Sequence, residues 1–176
     1  MKFIEPGKQY EEKAGEYIRE FLDANSDING AGSLDKYLDS EGYDAWLAFL
    51  ERKCDDKQIA PGQVKASTYF WVRESDDQII GMVNIRHGLN ESLYREGGHI
   101  GYSIRPSERG KGYATQMLEQ ALWLCQLIGL DRVLAVCDKS NAASARVIKK
   151  CGGLLENEFY SDHYDEIIQR YWISNE

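Results

Sequence analysis

The chain has 176 residues, 43% of them hydrophobic and 28% charged, with a formal charge of −8. That is enough apolar material for a real core in one domain, which excludes disordered and disulfide-scaffold classes. No apolar stretch approaches the roughly 20 residues of a membrane span, and an acidic chain lacks the basic face expected of a nucleic-acid binder.

The first residues, Met1 to Pro6, carry no apolar leader, so a cytoplasmic protein is expected. Residues 1–60 hold 14 acidic and 8 basic side chains, which is most of the net acidity. Tyr10, Ala14, Tyr17, Ile18, Phe21 and Leu22 recur at spacings of three and four and predict an amphipathic helix. A loop from Asp27 to Ser33 follows, and a helical pattern resumes over Tyr43–Leu50 around Trp46. Tyr17, Tyr37, Tyr43 and Trp46, with Glu16, Glu20 and Asp44, offer a cation-receiving pocket as an alternative to ordinary helix packing. Pro61-Gly62 breaks the helical region.

From Ser67 the pattern turns strand-like. Thr68–Val72 and Ile79–Arg86, joined at Asp76-Asp77, predict a hairpin, and His99–Arg105 a third strand stopped by Pro106. A long helix carries Met117, Leu118, Ala121, Leu122, Leu124, Cys125 and Ile128 and ends at Gly129. Val133–Cys137 reads as a buried strand, Asn141–Cys151 as a helix, and Leu155–Tyr160 and Glu166–Ile173 as closing strands. Cys54, Cys125, Cys137 and Cys151 form no CxxC pair, and His87, His99 and His163 stand at no ligand spacing from them, so no metal site is expected.

The most informative stretch is Arg105-Pro106-Ser107-Glu108-Arg109-Gly110-Lys111-Gly112-Tyr113-Ala114, where a strand gives way to a glycine-rich turn and a helix. Glycines let the backbone approach a ligand closely, and the first N–H groups of a helix point outward with the positive end of its dipole. With Arg109 and Lys111 alongside, this is an anion site suited to a pyrophosphate. It is neither a P-loop nor a complete GxGxxG fingerprint.

Arg109-x-x-Gly112-x-Ala114 resembles the (Q/R)-x-x-G-x-(G/A) signature of the GNAT N-acetyltransferases. Tyr102-Ser103-Ile104-Arg105-Pro106 is similar to that family's fourth strand and its exit. Asn141-x-x-Ser144, followed by Gly152-Gly153, resembles its later asparagine-led helix. The resemblance covers roughly residues 66–174. It implies an α/β fold with a mixed, mostly antiparallel central sheet flanked by helices. The single domain would comprise a helical acceptor-side region (1–62) and a cofactor-binding core (66–174).

The ligand so implied is acetyl-CoA, with no metal. Arg109, Gly110, Lys111, Gly112, Tyr113 and Ala114 would cradle its pyrophosphate, and Tyr102, Ile104, Asn141 and Ser144 would contact the pantetheine arm. The implied reaction is direct acetyl transfer to a primary amine of a small molecule or peptide. The acidic front suggests a cationic acceptor, and proteins resembling this one are often homodimers. For the base, Glu96 and His99 precede the fourth-strand motif, and Asp138 is a third choice that could instead cap the next helix. Many relatives place a tyrosine, as general acid, where this chain has Ile148, leaving Tyr160 or Tyr164 as substitutes. The same departure keeps open a non-catalytic acyl-CoA binding or sensing module.

Overall fold

The computed structural model describes residues 1–175. Its strands are β1 (Lys2–Ile4), β2 (Ala66–Arg73), β3 (Gln78–Arg86), β4 (Ile100–Ile104), β5 (Arg132–Asp138), β6 (Leu154–Ser161) and β7 (Glu166–Ser174). The helices are α1 (Glu11–Asp23), α2 (Leu34–Leu38), α3 (Tyr43–Cys54), α4 (Tyr113–Leu127) and α5 (Ala142–Lys150). All seven strands form one sheet in the order β1-β2-β3-β4-β5-β7-β6. Every neighbouring pair is antiparallel except β4–β5.

Alternation along the strands separates two apolar layers. On one face Val83, Ile85, Val133, Ala135 and Cys137 meet Leu118, Ala121 and Cys125 of α4 and Ala145 and Ile148 of α5. On the other, Phe70, Val72, Ile79 and Met82 meet Tyr10, Tyr17, Phe21, Tyr43 and Trp46 from the front helices. The Trp46 ring stacks on Phe70 at 5.8 Å and its indole N–H donates to the Gly32 carbonyl at 2.9 Å.

Two local expectations are corrected. Leu22 is 62% exposed, because the stripe of α1 closes on Ala14, Tyr17, Ile18 and Phe21 and turns Leu22 to solvent. The N-terminus also supplies a strand: Lys2–Ile4 pairs with Phe70–Val72 on the free edge of β2. Three residues have no period to read, and this edge exists only once β2 has folded. No helix among the described residues is long and apolar enough to cross a membrane.

Candidate functional site

The site begins where the sheet fails to close. β4 and β5 share one register pair, Ile100 with Ala135. At the closed end the His99 N–H donates to the Leu134 carbonyl at 2.8 Å, and the Leu134 N–H donates to His99 Nδ1 at 2.9 Å. An imidazole thus replaces the next backbone acceptor, and the strands diverge beyond it. Gly98, at φ +68°, packs against the Leu134 carbonyl where a Cβ would collide. β3 holds the far edge of β4 along Ile100–Ile104, so the slot-facing backbone groups of β4 are left without a strand partner.

The slot runs toward the turn before α4. Gly110 and Gly112 take φ of +78° and +79°, with open space where a side chain would stand. Among the described residues, the N–H groups from Gly110 through Thr115 have no protein acceptor. Six consecutive unmatched donors at a helix start form a concavity for an anion. Arg109 does not point its side chain into this concavity as expected. Its Nε donates to the Ile104 carbonyl at 3.2 Å, its Nη2 to Ser26 Oγ at 2.8 Å, and the guanidinium lies over Phe21. The Lys111 ammonium pairs with Glu108 at 2.8 Å. The attraction for an anion therefore comes mainly from backbone N–H groups.

Opposite the turn, Asn141 Oδ1 accepts from the Ser144 N–H at 3.0 Å and caps α5. The Tyr102 hydroxyl and Ser144 Oγ lie 3.1 Å apart, bridging from β4 to α5. Burial pushes the Tyr102 hydroxyl up to about 12. Ile148 lies wholly inside the core.

The three base candidates separate clearly. His99 is buried, and burial with the nearby Arg86 charge lowers its pKa to about 4. Its Nδ1 lone pair is already used by Leu134, so the neutral ring has no acceptor nitrogen left. Glu96, in the turn Leu93–Gly97, accepts from Ser161 Oγ at 2.9 Å and lies 3.4 Å from Arg95 Nε. Asp138 ends β5 with no donor to its carboxylate among the described residues. Burial, then Glu166 and Asp27, raise its pKa above the ordinary carboxylate value. Of the substitute acids, Tyr160 is tied to Asp165 and Tyr164 stacks edge-on with His163.

The expected cation pocket among the front aromatics does not form. Tyr17, Tyr43 and Trp46 are core residues, and Tyr37 packs against Phe49. Tyr17 donates to the Ser103 carbonyl at 3.0 Å. Asp44 is paired with Lys8. Although burial opposes it, the Ser107 N–H and the Arg105 guanidinium hold the Glu20 carboxyl below its ordinary value. Glu20 is therefore a strut between α1 and the exit of β4. Beside it, loop 28–33 rests on β4, with the Ser103 hydroxyl donating to the Asn29 carbonyl and Gly30 packed against Gly101.

A family model described as an acetyltransferase (GNAT) domain matches residues 34–153. An uncharacterized N-acetyltransferase, YnaD of Bacillus subtilis (strain 168), is 27% identical over 112 residues, covering 57% of this chain and 64% of the relative. The chain thus spans slightly under two thirds of that relative. Among solved structures, an N-acetyltransferase from Staphylococcus aureus Mu50 superposes with a TM-score of 0.66 at 17% identity, over 99% of this chain and 98% of the other. A mutant of the spermidine N-acetyltransferase SpeG from Vibrio cholerae gives 0.62 at 14% identity, over 99% and 95%.

Proposed function

The chain belongs to the GNAT acetyltransferase family, and on that premise we propose that it is an acetyl-CoA-dependent N-acetyltransferase acting on a primary amine. The observation that carries this reading is the slot between β4 and β5, leading into six unmatched N–H groups at the start of α4. These residues fit acetyl-CoA. Residues 110–115 match a pyrophosphate, the left-handed Gly110 and Gly112 keep the approach open, and the slot-facing edge of Tyr102–Ile104 can pair with an amide-bearing arm. When bound, acetyl-CoA supplies the activated acyl group.

The remaining chemistry falls to this chain's side chains. Asp138 accepts the proton of the incoming ammonium, since its free carboxylate and raised pKa suit a group that must hold a proton. As the amine nitrogen bonds to the acyl carbon, the carbon–sulfur bond breaks and the sulfur departs with the electron pair. The Tyr102 hydroxyl, steadied by Ser144, donates a hydrogen bond to that thiolate in place of the helix tyrosine. Glu96, fixed by Ser161, adds negative charge that draws in the ammonium. His99 holds the vertex of the slot instead of moving protons.

Thermal-shift titration with acetyl-CoA, CoA, ATP and NAD tests the ligand. At 100 times its Kd a ligand specific for the folded state adds about 2.7 kcal/mol, so the two CoA ligands should raise Tm and the nucleotides should not. Thiol release over a panel of amines then tests turnover. The core position of Ile148 favours one rival, an acyl-CoA sensing module. Tight binding with no thiol release for any amine would select it.

A further inference from the structure

Beside the slot lies a second feature, a cavity of about 470 Å³ beneath loop 28–33. Its wall includes Lys36 of α2, Lys53 of α3 and Arg86 of β3, against one acid, Asp35. A net-cationic cavity is unexpected in a chain of formal charge −8.

Arg86 is the decisive residue. It is half-buried, and burial is what lowers the pKa of its guanidinium. Nη1 donates to the Gly97 and Gly98 carbonyls at 2.9 and 3.3 Å. Nη2 sits against the bare Cα of Gly101, 3.2 Å from where a Cβ would stand. No carboxylate among the described residues lies in ion-pair range. The two buried arginines each have one: Arg105 has Glu20 and Arg170 has Glu156. A half-buried charge with no ion-pair partner is unfavourable, and two carbonyl dipoles only partly offset it. Lys53 meets only the Gln63 side-chain oxygen, at 3.0 Å. Three cations therefore line the cavity against one carboxylate, which leaves a net positive wall.

Its position supplies the function. Gly101, against which Nη2 lies, is the first residue of β4 past the last pair with β5. The cavity thus opens beside the vertex of the slot, on the side covered by loop 28–33.

Resting on the acetyl-transfer reading above, we propose that the acceptor is an amine that also carries an anionic group, a carboxylate or a phosphate. That group docks on Arg86, with Lys36 and Lys53 lining the wall, while the amine reaches toward Asp138. A bidentate guanidinium–oxyanion contact would complete the hydrogen bonding of Arg86 and fix the amine's direction.

The test uses the full chain. Thiol-release rates are measured for ω-aminocarboxylates of two to six carbons, the corresponding aminoalkyl phosphates, and uncharged and diamine isosteres. Binding of the same compounds without CoA is followed by thermal shift. Wild type, Arg86→Gln and Arg86→Lys are compared, with acetyl-CoA affinity by calorimetry as the control. At least one anionic amine should exceed its uncharged isostere about 100-fold in kcat/KM, the phosphate and carboxylate arms telling which oxyanion is preferred. Arg86→Gln should remove most of that preference through KM, Arg86→Lys only part, and acetyl-CoA affinity should not change. The proposal is overturned if no anionic compound binds or reacts better than its isostere, or if Arg86→Gln keeps the preference. Anionic amines that still bind through Arg86 when acetyl-CoA does not would uphold the anion site and reject the transfer reaction.

Discussion

Strand β5 has two neighbours and treats them differently. Toward β7 it is paired through seven residues, Arg132 to Asp138, and toward β4 through one. The β7 side is built for stability, with each residue in register and Ile168 and Tyr171 buried behind it. The β4 side leaves backbone edges in the middle of the sheet, six N–H groups at the start of α4 and a free carboxylate without protein partners, where such groups are usually satisfied. The difference marks where the fold has given up internal bonding in favour of a ligand.

Breaking the open side at its far end should have the largest effect. Gly112→Glu places a side chain at φ +79° and an anion among the six donors. Acetyl-CoA affinity should fall at least 100-fold by calorimetry, with the closed β5–β7 side intact by circular dichroism. Removing the free carboxylate comes next. Asp138→Asn should lower kcat roughly 100-fold, within the usual range for a lost general base. Because the folded-state pKa of Asp138 is raised, ionisation destabilises the native state as pH rises. The same variant should therefore have a slightly higher Tm at neutral pH, whereas a purely structural acid would lower it.

The vertex between the two regimes is sensitive to pH. His99 ordinarily titrates near 6.5 and in the fold near 4, so its depressed pKa contributes stability that is complete above about 6.5. That contribution drains away as pH falls toward 4, by up to about 3 kcal/mol. Urea unfolding across this range should show the loss, and His99→Gln should flatten the slope. Tyr102→Phe should act least, lowering kcat a few-fold without moving KM for acetyl-CoA.

Much of the closed side was legible in the sequence, because strands such as Val133–Cys137 and helices such as α4 declare themselves through local apolar periodicity. So was the glycine turn, where two left-handed residues admit little but glycine. The acceptor side was much less so. The cavity is assembled from four separate stretches, near residues 28–36, 49–53, 63–68 and 84–93, that no local pattern links. One signal was present: Met82, Asn84 and Arg86 share a face of β3, where two polar residues follow an apolar one in a strand otherwise rich in buried apolar residues. The front aromatics misled because their number suited either a cation pocket or a core, and burial alone decides which. His99 invites a catalytic role until its ring nitrogen is seen accepting from Leu134.

The Glu20 strut has a mechanical consequence. By gripping Arg105 and the Ser107 N–H it bolts α1 to β4, and Asn29 and Gly30 rest on the same strand. The front helices and β1–β4 are therefore cross-linked as one half of the molecule, with β5–β7 and α5 as the other. The seam of fewest cross-links runs between them, with α4 packed across it as the common back. The fewest bonds need break there if the molecule opens, and what opens is the gap that would take the ligand.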